Sequence, residues 1–270
     1  SSAVTAAGLY EQLAQERSTY LREGQESSKL TLPYLIPETS GGSGARRSKI
    51  KTPYQSIGAA GVNSLAAKLL TGLFPTNIPF FKLVLDMIKI AQEEGGKEAI
   101  TEIDKALRKV EAALMREIEI SNDRVAMFEA LKHLIVGGNV LMYLTTEGLQ
   151  VYPLEKYVCK RDPTGNTLEI IIKETVNGKA LPLDFVAKLE EKAKYTENTL
   201  EEDLDIYTHV KRDGDFFNWH QECKGERIPN TEGRARKDVS PFINLRFTRL
   251  SGESYGRGYV EEYRGDLISL

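Results

Sequence analysis

Cysteine is nearly absent: Cys159 and Cys223 are the only two in 270 residues. That excludes a disulfide framework and suits a reducing compartment. A basic excess is missing too, with 36 Lys and Arg against 39 Asp and Glu and a net charge of −3. Proteins that grip nucleic acid tightly carry a concentrated positive footprint, so any DNA contact is expected to be loose or local. Long hydrophobic runs are also lacking. Long uncharged stretches include Leu69 to Phe81, interrupted by Pro75 and Pro79, and His133 to Thr146, which contains Gly137 and Gly138. A spanning helix needs about 20 apolar residues, so no membrane partner is expected. No apolar segment opens the chain, so no signal peptide is expected. The chain begins at Ser1 and stops at Leu270, inside a pattern just turning helical; a piece of a longer protein is expected.

The motifs of common enzymes are missing as well. Gly96-Lys97 is followed by Glu98 and Gly178-Lys179 by Ala180, whereas a phosphate-binding loop needs Ser or Thr after Gly-Lys. In Gly256-Arg257-Gly258 the third glycine of a dinucleotide fingerprint is replaced by Glu261,. No Gly-x-Ser-x-Gly elbow occurs, and His133 reads as a partly buried helix residue rather than a general base. No catalytic residue and no cofactor are therefore expected. His220 and Cys223 have ligand-like spacing, and His209 falls on a neighbouring strand. A structural zinc site wants four ligands, so the favoured reading is ordinary strand residues and no metal.

What is present is the composition of a globular protein, 41% hydrophobic and 28% charged,. From Leu9 to Arg22, Tyr10, Leu13, Arg17 and Tyr20 follow helical spacing. Thr39 to Ser48 is a glycine- and serine-rich loop. Thr52-Pro53-Tyr54-Gln55 looks like a helix start with a capping box. The Ile57, Gly61, Leu65, Leu69 and Leu73 face that follows, widened by Val62, Ala66 and Leu70, predicts a deeply buried helix. Its small residues Gly58 to Gly61 would admit a second backbone. Pro75 ends it, and Phe80 to Leu85 is expected as a strand. Ile100, Ile103, Leu107, Val110, Leu114 and Ile118 mark a long amphipathic helix. Ser121-Asn122-Asp123 separates it from another helix that stops at Gly137-Gly138, and Val140 to Leu144 is expected as a buried strand.

Beyond Thr145 the texture becomes β. Short runs at Tyr157–Cys159, Leu168–Lys173, Ile206–Val210, Phe216–His220 and Phe242–Arg249 alternate with turn signals, and Asp213-Gly214 suggests a hairpin. Glu197 to Asp205 reads as a solvated acidic connector. From Gly258 the pattern is helical again. The expected fold class is α+β: residues 1–145 mainly helical, 146–252 mainly antiparallel β, and 253–270 a junction leading into a helix. Two groups could make contacts. Arg46, Arg47, Lys49 and Lys51 form a basic patch on a loop that could face DNA or a partner; Arg227, Arg234, Arg236 and Lys237 form a second patch. Such runs are usually solvated surface, and phosphate contact would need no base reading. Glu253, Tyr255, Gly256, Arg257, Gly258, Tyr259, Glu261 and Tyr263 crowd the strand-to-helix junction. They fit either a tyrosine-rich helix entry or a joint or subunit contact, where Tyr and Arg are favoured.

Three stretches, Thr52 to Pro75, Arg124 to Leu144 and Gly252 to Leu267, resemble the portal (head-to-tail connector) proteins of short-tailed bacteriophages. The likeness spans most of the chain and is weakest between Asn177 and Lys237. The resemblance implies a non-enzymatic ring, usually of twelve subunits, at one capsid vertex of the virion, assembled in the host cytoplasm. Double-stranded DNA would pass through its channel. Terminase, tail or adaptor proteins, the major capsid protein and scaffolding protein would be its partners. It further implies that residues 1–252 are the wing and that 253–270 are the junction and start of the stem helix. Clip, remaining stem and crown would lie beyond Leu270. Two other readings remain: a different head-tail adaptor ring, and, far behind it, a nucleic-acid-processing enzyme.

Overall fold

Thr5 opens the first helix: its hydroxyl accepts the N–H of Gly8 at 3.2 Å. In the computed structural model, which describes residues 4–38, 52, 53, 55–76, 78–85, 96–193 and 199–270, helix α1 spans Ala6–Leu30. It is longer at both ends than its periodicity suggested. Tyr10, Leu13 and Arg17 lie on its buried face, as residues three and four apart must. Arg17 is tolerated there because Nη1 donates to the carbonyls of Leu154 (2.9 Å) and Tyr157 (2.7 Å), so the buried charge is hydrogen-bonded.

Helix α2 (Ile57–Leu73) begins later than Thr52. The side chain of Gln55 performs the capping: its Oε1 accepts the N–H groups of Ile57 (2.8 Å) and Gly58 (3.2 Å). The expectation of deep burial is corrected. Gly58, Val62 and Ala66 are buried, but Ile57 and Leu73 are 59% and 54% exposed. Close backbone approach occurs at one end of the small-residue run. A Cβ on Gly58 would meet the Leu30 carbonyl at 2.4 Å, whereas one on Gly61 would meet nothing within 4 Å. The strand expected at Phe80–Leu85 is not formed. One of its backbone groups is satisfied from outside any sheet, Leu83 N–H donating to Glu111 Oε1 at 2.6 Å. Phe80 packs edge-on to both Phe74 and Phe81.

Helices α3 (Gly96–Ile120) and α4 (Asp123–Gly137) follow as expected. The apolar stripe of α3 is only partly covered, leaving Val110 and Leu114 exposed. Then come β1 (Asn139–Thr145), β2 (Gly148–Tyr152), β3 (Tyr157–Arg161) and β4 (Thr167–Asn177). After them the structure inserts a helix that periodicity had not singled out, α5 (Leu183–Ala193). Strands β5 (Asp203–Asp213), β6 (Phe216–Cys223), β7 (Glu226–Arg227), β8 (Gly233–Arg236) and β9 (Phe242–Arg246) lead to the last helix, α6 (Tyr259–Ser269). The acidic connector is shorter than expected, since Asp203 and Asp205 already pair in β5. Its residues 197 and 198 lie outside the described residues, and β9 stops at Arg246 rather than Arg249.

Among the described residues all strand pairings are antiparallel. One sheet runs β2-β1-β9; the other runs β3-β4-β5-β6-β7, with β8 also pairing β6. The isoleucine run of β4 is buried on both sides because both faces are covered. Ile170 and Ile172 join Leu141, Tyr157, Val210 and Phe242 in a core between the sheets. Ile171 points the other way, to Tyr10 and Leu13 of α1. A third core joins Phe185, Val186 and Leu189 of α5 to Leu204, Ile206 and Cys223. A fourth gathers Ile36, Val62, Ala66, Ile135, Val136 and Val260 where α2, α4 and α6 meet. The protein is an α+β fold with helices first and antiparallel sheets after.

Candidate functional site at the strand-to-helix joint

The joint is built around Gly138. This residue follows α4 with φ +73°, the left-handed region that favours glycine,. A Cβ there would lie 2.3 Å from the carbonyl carbon of Arg257. Reciprocally, a Cβ on Gly258 would lie 2.5 Å from the Val136 carbonyl oxygen. Two backbones far apart in sequence thus touch directly, which only side-chain-free residues permit.

Polar groups fix that contact. Gly256 N–H donates to Asn139 Oδ1 at 2.7 Å, and Asn139 Nδ2 donates back to the Gly256 carbonyl at 2.9 Å and to the Gly137 carbonyl at 3.0 Å. Thr248 and Arg257 exchange two backbone hydrogen bonds of 3.1 Å. The phenol of Tyr255, 2% exposed, accepts the Cys159 N–H at 3.0 Å. Arg161 donates to the carbonyls of Ser254, Gly165 and Asn244 (3.0, 2.9 and 2.8 Å), and Arg246 to that of Glu253 (2.7 Å). Burial pushes both the Tyr255 phenol and the Cys159 thiol up from their ordinary values, so both are neutral structural groups near pH 7.

The eight junction residues divide into two sets. Tyr255, Gly256 and Gly258 are buried in the joint. Arg257, Tyr259 and Tyr263 are at the surface, 47%, 37% and 45% exposed. Glu253 (3.3 Å) and Glu261 (3.5 Å) flank the Arg257 guanidinium, and the Tyr259 ring packs against that of Tyr263 with centroids 4.9 Å apart and planes tilted by 50°. Arg264 of α6 pairs with Glu23 of α1 at 2.6 Å. The Tyr20 phenol is raised by burial and by the neighbouring Glu253 carboxylate. Tyr259 and Tyr263, with Ile57, Gly61, Leu65 and Leu267, line an open apolar groove between α2 and α6.

Sequence reasoning did not single out Asn139, Arg161 or Arg246, which tie the joint together. Only the position of Asn139 directly after the glycine pair was available as a signal. Arg46, Arg47, Lys49 and Lys51 lie outside the described residues. In the second basic patch, Lys237 pairs with Asp215 (2.6 Å), Arg236 pairs with Asp238 (2.9 Å), and Arg234 lies over the Phe216 ring. His220 and Cys223 do not converge. They sit on opposite faces of β6, as an odd spacing on a strand dictates, and Cys223 is buried beneath α5. His133 is more buried than expected, at 2%, with Glu129 at 3.7 Å. Among the described residues, no helix is long and apolar enough to cross a membrane.

Residues 3–270 match the family described as bacteriophage head to tail connecting protein. The chain is 36% identical to the portal protein of Escherichia phage T7 over 273 residues, covering 98% of this chain and 50% of that protein. It is equally similar to the portal protein of Enterobacteria phage T3, with the same coverage. It is 32% identical to that of Pseudomonas phage phiKMV, covering 98% of the chain and 52% of the relative. The chain thus spans about half the length of the curated relatives it matches.

Proposed function

This chain belongs to the bacteriophage head to tail connecting proteins, and on that premise we propose that it is the wing-bearing half of a portal subunit. Its family is structural and non-enzymatic. Copies of the subunit, twelve in our reading, close into a ring at one capsid vertex. DNA enters and leaves through the channel. Terminase docks on the ring during packaging, tail proteins dock later, and capsid and scaffolding proteins surround it during assembly. In this reading residues 1–252 form the wing, and 253–270 form the joint and the first turns of the stem.

The observation that carries the reading is the family match itself, which runs from residue 3 through the joint to residue 270. The geometry supports it in two ways. The interlock of Gly138 with Arg257 and Gly258 holds the base of α6 rigidly, as the root of a stem requires. The apolar faces left open on α2 and α6 suit a heterologous contact repeated by rotation, in which Tyr259 and Tyr263 meet a neighbouring subunit. The acidic balance of the chain fits a conduit: many phosphate contacts would hold DNA in a salt-dependent grip, whereas weakly repelling walls let it slide. In this reading Arg46, Arg47, Lys49 and Lys51 make at most local contacts with DNA or a partner.

Negative-stain electron microscopy of the purified full-length protein tests the proposal. Rings of about a dozen subunits with an open centre are expected. A monodisperse monomer or dimer, at concentrations where capsid proteins associate, would overturn self-assembly into a conduit.

A further inference from the structure

On a pleated sheet, residues directly opposite on paired strands share a face, as do residues two apart on one strand. His209 of β5 lies opposite His220 of β6. Glu222, two residues on, therefore shares their face. So does Glu169 of β4, two residues before Ile171, which lies opposite His209. The side chains converge. One ring nitrogen from each histidine and one carboxylate oxygen of Glu222 lie within 4.8 Å of one another. His209 Nε2 stands 2.6 Å from Glu169 Oε1, and His220 Nε2 stands 2.7 Å from Glu222 Oε1. All four side chains are largely covered, between 14% and 19% exposed. The chain contains three histidines in all, so two of the three meet at this point.

We propose that His209, His220 and Glu222 bind a single divalent transition-metal ion of the zinc type, with Glu169 the nearest candidate for a fourth ligand. Imidazole nitrogen with carboxylate oxygen suits zinc and its neighbours, whereas magnesium and calcium prefer oxygen alone. Ligand bonds of about 2.0–2.2 Å in a tetrahedral site put ligand atoms roughly 3.3–3.6 Å apart. Small side-chain rotations reach that spacing from the present one: the two short His–Glu contacts open slightly and the wider separations close. Two neutral imidazoles and two carboxylates carry two negative charges, which the ion neutralises. The ion takes the place between each Nε2 and its carboxylate that a hydrogen bond occupies now, with each neutral imidazole presenting its Nε2 lone pair and carrying its one N–H at Nδ1.

The backbone is suited to hold such a site. The three ligands come from the adjacent strands β5 and β6, and Glu169 from β4 beside them, in a register fixed by continuous pairing. The second oxygen of Glu222 accepts the Ala6 N–H at 2.8 Å, so the site also holds the start of α1. Bound metal would clamp β4, β5, β6 and α1 together. The inference stands apart from ring formation, because it concerns the fold of one subunit.

The test uses purified protein stripped of metal with a chelator, then titrated calorimetrically with zinc near neutral pH. One ion per chain is expected, with a rise in thermal midpoint of about 5 °C at saturating zinc. Cobalt is expected to give the visible spectrum of nitrogen and oxygen ligation without a thiolate charge-transfer band. Glu222→Gln keeps the shape and can still accept the Ala6 N–H, so it retains the fold and is expected to weaken zinc at least tenfold; His220→Ala is expected to abolish binding. The proposal is overturned if the unmodified protein takes up no zinc at submillimolar concentration, if uptake is unchanged in both variants, or if cobalt shows thiolate ligation.

Discussion

The joint and helix α2 are built from similar residues, glycine and alanine among leucine, isoleucine and valine, yet they are used in opposite ways. At the joint the small residues are filled against: Gly138 and Gly258 each have foreign backbone where a Cβ would be. Along α2 only Gly58, Val62 and Ala66 are covered, while Gly61 and Gly72 face open space and Ile57 and Leu73 stay exposed. A small residue is a contact only if something approaches it. The joint is complete within this chain, whereas α2 offers apolar surface beyond what the described residues cover. Apolar residues on all sides of a helix are the mark of one covered on all sides.

Substitutions can break or sharpen that contrast. The largest effect is expected from Gly138→Ala, which adds both positive-φ strain and a clash with Arg257. It should cost about 3 kcal/mol or more, read as a lowered urea midpoint; a near-neutral result would mean that the joint yields. Next is Asn139→Ala, which leaves the buried N–H and carbonyl of Gly256 without their partners. A loss of about 2–3 kcal/mol is expected in the same measurement. Least is Ile57→Gln on α2, expected to change the stability of the unassembled chain by less than about 0.5 kcal/mol. If the ring reading holds, that same variant lowers the yield of rings from full-length protein. A large loss of stability in the unassembled chain would instead show that α2 is already covered from within.

The sequence revealed local features well and assembled ones poorly. Gly137-Gly138 and Asp213-Gly214 were legible because a helix stop and a hairpin turn are decided by a few adjacent residues. The strands at Val140–Leu144 and Leu168–Lys173 were legible because short runs rich in apolar residues and bounded by turn signals mark strands, although the first is buried only at its start and leaves Leu144 exposed. Helix α5 escaped because Phe185, Val186 and Leu189 are embedded among charged residues, and its partner surface of Leu204, Ile206 and Cys223 comes later in the chain. Phe80–Leu85 looked like a strand by composition, but a strand needs a neighbour to pair with, which a run of residues cannot declare. At the joint, the crowding of Gly256, Gly258 and the tyrosines was visible in advance. That Asn139 answers Gly256 was not, since no short-range pattern links them. The histidine cluster shows the same limit: spacing suggested His220 with Cys223, whereas strand register puts Glu222 on the histidine face and Cys223 beneath the sheet.

The interlock of Gly138 with Gly258 also has a temporal side. As the chain is synthesised, α4 and its glycine stop emerge while the residues that must seat against them, 256 to 258, are still unmade. Closing a contact over more than a hundred residues costs loop entropy before it returns any stabilisation. Local pairs such as β1 with β2 and β5 with β6 can form meanwhile, but the seat at Gly138 stays vacant until both sheets have been translated. The direction of α6 can therefore be settled only after α4 and both sheets have emerged to receive it.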